Sequence, residues 1–138
     1  MAVDDMAEFE SWIEAQEFQI TLDAQGKIID FLDNEVKRPN TPEERIRQKM
    51  TQIIVCELGY PKSHVALERA INIGREIKRA DIVVYHTAAA CASNDQGNIY
   101  LIAEIKAPTI LESDGQLMAY LSATSAQGGF WSNGNKIE

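Results

Sequence analysis

The chain has 138 residues, of which 45% are hydrophobic and 25% are charged. This length and composition predict one globular domain with a substantial apolar core and exclude a largely disordered chain. The formal net charge of −8 at pH 7 argues against a protein that holds nucleic acid by an overall basic surface, but it leaves room for a nuclease whose clustered carboxylates hold a metal ion.

Two features of the sequence bear on compartment and metal chemistry. No run of residues approaches the roughly 18 apolar residues of a membrane span, and the amino terminus, MAVDDMAEFE, is acidic where a secretory signal is basic and then apolar. We therefore expect a cytoplasmic protein without a membrane partner. Cys56 and Cys91 lie far apart without C-x-x-C spacing, which favours reduced thiols over a zinc site or a disulfide. A metal ion would then be held by oxygen ligands.

The whole chain, residues 1–138, is expected to be a single domain in which residues 1–36 form an amino-terminal extension. Residues 4–15 favour a short acidic helix, and FQITLDAQGKIIDFLD favours two short strands joined at Gln25-Gly26. The core is expected to span residues 41–138.

Strong helix signals open this core. Thr41 suits the N-cap, Pro42 suits the first helical position, and Gly59 followed by Pro61 predicts the end of the helix. A first helix is therefore predicted from Thr41 to about Gly59.

The remaining elements predict an α/β fold. HVALERAINIG, ADIVVY and NIYLIAEIK are typical of strands, and ESDGQLMAYLSATSAQ returns to helical spacing. The small-residue segment HTAAACASNDQGN is predicted to form a protruding loop. The order of elements indicates a mixed sheet flanked by helices.

The closing GFWSNGNKIE predicts a strand, an Asn-Gly turn and a second strand that stops almost as it starts. We expect either a core truncated at its carboxyl end or a protein that borrows the edge of a neighbouring copy, as in a homo-oligomer.

Charged residues at the ends of two predicted strands suggest a site. Asp81 opens the run DIVVY, whereas Glu104 and Lys106 lie near the carboxyl end of IYLIAEIK. Side chains at positions i and i+2 of a strand project to the same face, so Glu104 and Lys106 are expected to face one cleft. If the two strands are neighbours in the sheet, Asp81 joins them.

This set of residues suits metal-assisted hydrolysis of a phosphodiester. Two adjacent carboxylates repel each other unless a cation lies between them. Mg²⁺, for which Mn²⁺ can substitute, prefers such oxygen ligands, and the backbone carbonyl of Ile105 could complete the set. Lys106 could position and activate the attacking water and stabilise the negative charge that develops on the phosphate. The alternative interpretation is that these residues form solvated strand ends or a simple ion pair.

Several segments together carry a resemblance to a known family. TPEERIRQ, ELGYPKSHVALERAINIG, RADIVVY, EIKAP, QLMAY and a late NG occur in this order over about residues 41–134. In these segments the chain resembles the amino-terminal nuclease domain of type I restriction enzyme R subunits, which belongs to the RecB-like branch of the PD-(D/E)XK superfamily. The resemblance implies a restriction-endonuclease-like fold and a Mg²⁺-dependent DNA endonuclease of a restriction or related defence system.

The resemblance also implies roles for individual residues. Asp81, Glu104 and Lys106 match the metal-binding aspartate and the Glu-x-Lys pair, with Asp81 and Glu104 as the metal ligands. Gln116 and Tyr120 match the Q-x-x-x-Y motif on the following helix. Without the resemblance, the latter two residues could equally form a half-buried polar edge.

A glutamate of TPEE matches the acidic position of the first helix, and helical periodicity bears on which one. At about 100° per residue, Glu43 lies at the edge of the apolar stripe that Ile46 and Met50 begin, while Glu44 points nearly opposite. Glu44 is explained as the capping-box partner of Thr41, so Glu43 is the predicted catalytic residue. A surface pair between Glu43 and Arg47 is the alternative.

Two departures from the family pattern bear on function. Ala80 stands where the superfamily has the proline that names it, and no G-x-x-x-x-G-K-[ST] phosphate loop occurs in this chain. DNA is the expected substrate, and its cleavage would therefore need a motor domain or other restriction-system subunits as partners. The alternatives from other classes are a non-catalytic module of the same fold, used for DNA contact or assembly, and an unrelated small-molecule enzyme with a deep apolar pocket.

Overall fold

A four-stranded mixed sheet forms the centre of the protein in a computed structural model, which describes residues 19–106, 115–134 and 137. A separate two-stranded sheet and three α-helices accompany it within these residues. This architecture is consistent with a restriction-endonuclease-like fold and confirms the predicted α/β class. In the described ranges, no helix combines the length and the hydropathy that crossing a bilayer requires.

The strands of the central sheet follow one another in space as they do in the chain. Strands β3 and β4 and strands β4 and β5 pair antiparallel, whereas β5 and β6 pair parallel. The small sheet pairs β1 with β2 antiparallel. The strands are β1 (Ile28–Ile29), β2 (Lys37–Arg38), β3 (Val65–Ile73), β4 (Glu76–Tyr85), β5 (Ile99–Ile105) and β6 (Gly128–Ser132).

The first helix begins where its sequence signals predict. Helix α1 spans Pro42–Gln52, and the Thr41 hydroxyl accepts a hydrogen bond from the Glu44 N–H at 3.2 Å. A π-helical segment, Ile53–Glu57, extends α1, and Gly59 follows with a φ of +81°, which glycine adopts without steric cost. The other helices are α2 (Ala88–Ser93) and α3 (Gln116–Ala123).

Apolar side chains cover both faces of the central sheet. One face packs against α1 and the π-helical segment, with Ile82 and Ala103 among its buried residues. The opposite face packs against α2 and α3, with Val83 and Ile102 among its buried residues. Because β5 and residues 80–85 of β4 are covered on both sides, they appear in the sequence as nearly continuous apolar runs.

Three sequence expectations need correction. HTAAACASNDQGN is not a protruding loop: Thr87 caps α2, and the side chains of Ala90 and Cys91 are buried against the sheet. The exposed segment EIKR belongs to β4, because antiparallel pairing with β3 satisfies its backbone although its own side chains face solvent. Asp81 therefore lies inside a strand and does not open one.

The third correction concerns the predicted hairpin at Gln25-Gly26. The turn is present, since the Gly26 N–H donates to the Asp23 carbonyl at 3.1 Å, but only an isolated bridge joins Leu22 to Ile28 across it. Strand β1 pairs with β2 instead. The predicted helix at residues 4–15 lies outside the described residues.

The contact between β6 and β5 depends on the absence of a side chain at Gly129. A Cβ built there would lie 2.6 Å from the Ile102 carbonyl oxygen and 2.9 Å from a methyl carbon of Leu117. Gly129→Ala should therefore lower the free energy of unfolding by about 1–3 kcal/mol through overpacking. Urea unfolding measures this change.

Gly128→Ala is the matched control, because a Cβ at Gly128 would meet no atom within 4 Å. We expect its free energy of unfolding to stay within about 0.5 kcal/mol of the wild-type value. Equal losses in the two variants would contradict the tight approach of β6 to β5 at Gly129.

Candidate active site

Strands β4 and β5 separate next to Asp81. Their last backbone pair is Ile82 with Ala103, and beyond it carboxylates take the place of backbone acceptors. The Ile105 N–H donates to Asp81 Oδ2 at 2.8 Å, and the Asp81 N–H approaches Glu104 Oε1 at 3.4 Å. The separation of the strands thus brings two carboxylates together, as the sequence predicted for Asp81 and Glu104.

Glu104 is held in an environment that opposes its charge. Its side chain lies in the sheet with 4% exposure. Burial, followed by the negative charge of Asp81, raises the pKa of Glu104 from an ordinary value near 4.5 to about 8. The Asp81 N–H and the charge of Lys106 act in the opposite direction but are outweighed. At neutral pH the carboxyl group of Glu104 is therefore mostly protonated.

Lys106 lies close enough to Glu104 for its charge to lower the pKa of that carboxyl group. Its backbone N–H donates to the Ser132 carbonyl at 2.8 Å, which fixes the end of β5 against β6. The structure thus brings Asp81, Glu104 and Lys106 to one part of the sheet.

The two glutamates at the start of α1 are oriented opposite to the prediction. Glu44 is 3% exposed, whereas Glu43 is exposed. The buried face of the first turns of α1 is polar, because Gln48 and Thr51, one and two turns after Glu44, are also buried. An apolar stripe begun at Ile46 was therefore the wrong guide, and Ile46 itself is only half-buried.

Arg47 links α1 to Asp81, a contact that the sequence analysis missed. Its Nε and Nη2 donate to the two carboxylate oxygens of Glu44 at 2.7 and 2.6 Å. Its Nη1 donates to Asp81 Oδ1 at 3.3 Å, and Nη2 also reaches Glu68 Oε1 at 3.3 Å. Burial acts to lower the pKa of Arg47, but the hydrogen bond and charge of Glu44 and the charges of Asp81 and Glu68 raise it overall. The sequence signal that could have found this link is the Glu-x-x-Arg spacing within TPEERIRQ.

Gln116 and Tyr120 lie one turn apart on α3 and contact each other. Gln116 Nε2 donates to the Tyr120 hydroxyl at 2.6 Å, and that hydroxyl donates to the Arg79 carbonyl at 2.8 Å. Tyr120 is fully buried. The pair therefore joins α3 to the strand that carries Asp81.

The donor set at the strand separation suits a hard divalent cation. Asp81 and Glu104 supply carboxylate oxygens, and the raised pKa of Glu104 indicates that the ionised pair lacks sufficient positive charge. The described part of the chain contains no group of three or more His, Cys, Asp and Glu side chains placed to hold a metal ion. A metal held here would therefore need ligands besides these two side chains.

The raised pKa of Glu104 has a consequence for stability. The pKa of Glu104 in the unfolded chain lies near 4.5, below the folded value, so the folded state binds more protons between the two values. The stability contributed by protonated Glu104 is fully present below about pH 4 and is lost as pH rises through about 8. Glu104→Gln lacks this loss. As the pH rises between these limits, its free energy of unfolding should increase by on the order of 1–3 kcal/mol relative to that of the wild type. Urea unfolding of both proteins at a series of pH values, without divalent cations, measures the difference, and a difference independent of pH would contradict the raised pKa.

The orientation of α1 gives a second prediction. Glu44→Gln should lower the free energy of unfolding by roughly 1–3 kcal/mol, because half-buried Arg47 loses its paired carboxylate. Glu43→Gln is the neighbouring control and should change it by less than about 0.5 kcal/mol. Thermal or urea melts compare the two variants, and a larger loss for Glu43→Gln would reverse the assignment.

Comparisons with known proteins identify the family of this chain but do not test the geometry of the site. The family described as Type I restriction enzyme R protein N terminus matches residues 42–138, from the first residue of α1 onward. A search of curated proteins and a search of solved structures each found no match. Because the match covers more than half of the chain and includes every residue of the candidate site, the chain belongs to the family of type I restriction enzyme R protein N-termini.

Proposed function

We propose that this domain is a Mg²⁺-dependent DNA endonuclease that hydrolyses phosphodiesters in a type I restriction or related defence system. Membership of the R protein family supports the restriction role. The contact between Asp81 and Glu104, where β4 and β5 separate, is the observation that carries the catalytic part of the proposal.

Asp81 and Glu104 would hold the ion through their carboxylates. The Ile105 N–H points at Asp81, and in an extended strand the carbonyl of a residue points to the same side as its N–H. This direction supports Ile105 as the backbone ligand. When bound, Mg²⁺ would supply Lewis-acid polarisation of the phosphate and make the attacking water more acidic.

The residues of the site would manage charge around the reacting phosphate. Glu104 would release its proton on taking up the ion, because a carboxylate must be ionised to act as a ligand. Lys106 carries an ammonium group near Glu104, so it would orient the attacking water and stabilise the negative charge that develops on the phosphate.

The helices would support this site indirectly. Tyr120 is buried and its hydroxyl is bound to the Arg79 carbonyl, so it would position β4 and would not contact DNA. Gln116 would hold that hydroxyl and orient the site from α3. The acidic role predicted for Glu43 passes to Glu44 in this proposal, since Glu44 binds the arginine that reaches Asp81.

A non-catalytic module for DNA contact or assembly is the second candidate function. The contact of Arg47 with Asp81 favours it, because an arginine can neutralise a carboxylate pair without any metal ion. In either case DNA, a motor domain and other subunits of the restriction system are the proposed partners.

Two variants separate the candidates. Asp81→Asn should remove Mn²⁺-dependent thermal stabilisation and DNA cleavage while the apo domain stays folded, because the amide can still accept the Ile105 N–H. Lys106→Met should keep the Mn²⁺-dependent shift but lose cleavage, since the lysine is proposed to act on water and phosphate and not on the ion. The measurements are melting curves of the chain with and without Mn²⁺, and plasmid cleavage by the assembly that includes its motor.

The stabilisation by Mn²⁺ should be larger at pH 8.5 than at pH 6.5, because Glu104 must lose its proton to bind the ion. A wild-type chain without any Mn²⁺-dependent shift at either pH would rule out the enzyme and leave the non-catalytic module.

A further inference from the structure

Glu68 has an unusual backbone conformation directly across from the candidate site. Its φ is +52°, in the left-handed region that non-glycine residues rarely adopt. Strand β3 pairs with β4 through Leu67 with Ile82 and through Arg69 with Ala80. Glu68 therefore lies opposite Asp81, although these two residues do not form a regular backbone pair. Such a conformation is strained for a residue with a Cβ and persists only where the surroundings enforce it.

The carboxylate of Glu68 is directed at two arginines. Its Oε1 lies 3.3 Å from Arg47 Nη2 and its Oε2 lies 3.4 Å from Arg38 Nη1. The Glu68 side chain is 45% exposed, and ion pairs at such exposure contribute little to stability. Stability alone therefore does not account for a strained residue at this point of β3.

Arg47 is the route by which Glu68 can influence Asp81. Glu44 holds the Nε and Nη2 atoms of Arg47, and the planar guanidinium then directs Nη1 at Asp81. A cation in contact with Asp81 orients the carboxylate but also competes with a metal ion for it. The pull of Glu68 on Nη2 opposes a closer approach of Arg47 to Asp81.

We propose that Glu68 is a positioning residue for the Asp81 carboxylate, acting through Arg47. The left-handed backbone at Glu68 places a second acceptor on Arg47, so that Asp81 keeps its orientation and remains available to a divalent cation. This inference rests on the proposed metal-binding function of Asp81. Glu68 itself does not touch the ion.

The direction of the expected effect follows from the charges. Without the Glu68 carboxylate, the guanidinium of Arg47 is shared between Glu44 and Asp81 alone. A closer pair of Arg47 with Asp81 competes better against the divalent cation. Metal affinity should therefore fall when the charge of Glu68 is removed.

Two substitutions of Glu68 separate its charge from its backbone strain. Glu68→Gln removes the charge and retains the strained φ, whereas Glu68→Gly removes the charge and adopts φ +52° without strain. Each should weaken Mn²⁺ binding roughly tenfold or more, as for other residues that support metal ligands. Glu68→Gly should melt at or above the wild-type temperature without metal, so its weaker binding would not reflect unfolding.

Glu76→Gln is the matched control, since it removes an exposed carboxylate that pairs loosely with Lys78 at 3.9 Å, elsewhere on β4. Calorimetric titration of the 138-residue chain with Mn²⁺ alone measures the four affinities. The control should bind as the wild type does.

A double-mutant cycle with Arg47→Lys tests whether Glu68 acts through Arg47. The lysine keeps a positive charge for Glu44 but lacks the planar fork that reaches both Glu68 and Asp81. Adding Glu68→Gln to Arg47→Lys should weaken Mn²⁺ binding less than twofold. If the effects of the two substitutions on the binding free energy of Mn²⁺ were additive, Glu68 would act independently of Arg47, and the positioning role would be overturned. Wild-type affinity in both Glu68 variants would overturn this inference and leave the proposed function intact, whereas absence of Mn²⁺ binding in the wild type would overturn both.

Discussion

The hydrogen bond from the Ile105 N–H to the Asp81 carboxylate is the constraint around which the site is organised. It replaces a backbone–backbone hydrogen bond where β4 and β5 separate. In the same way, the Asp81 N–H is directed at the Glu104 carboxyl group and not at a backbone carbonyl. Buried backbone donors must find acceptors, so the sheet can open at this point only if carboxylates supply them. Among the described residues, no buried side-chain nitrogen or oxygen atom is left without a partner. The same carboxylates that satisfy the sheet thus form the candidate metal site.

The electrostatic support of this site extends into the small sheet. Arg38 in β2 binds Asp30 at 2.9 Å, and Asp30 in turn accepts from Gln48 of α1 at 2.8 Å. Arg38 also lies 3.7 Å from Glu44, the partner of Arg47. Asp30 belongs to residues 1–36, the segment interpreted from sequence as an extension, so this segment contacts the helix that carries Arg47. Removing one member would leave buried charges uncompensated, which costs far more than an exposed pair contributes.

Sequence signals identified the features that local chemistry determines. The cap at Thr41 and the stop at Gly59 were predictable because they depend on neighbouring residues. Apolar runs identified the two strands that carry Asp81 and Glu104, whereas their pairing in the sheet was only a condition in the sequence analysis and is shown by the structure. The orientation of Glu44 was not predictable, since a buried polar helix face has no apolar periodicity.

The left-handed conformation of Glu68 was hidden for a different reason. Glycine or asparagine usually occupies a left-handed position, and a glutamate adopts this conformation only when tertiary contacts enforce it. The helix α2 was missed because its six residues, AAACAS, span less than two turns and are almost uniformly small, so they show no periodic contrast between apolar and polar positions. Both features depend on packing between segments that are distant in the chain.

The charges of the site explain how the domain could fold before it binds the proposed metal ion. One proton on Glu104 and the guanidinium of Arg47 offset part of the repulsion that two ionised carboxylates would otherwise exert on the sheet. A divalent cation would then displace the proton and leave Arg47 to Glu44 and Glu68, whose carboxylates already hold its Nη2. On this interpretation the carboxylates around α1 orient Arg47, and Arg47 in turn orients the Asp81 side chain. The cost of a strained glutamate in β3 becomes understandable as part of that arrangement.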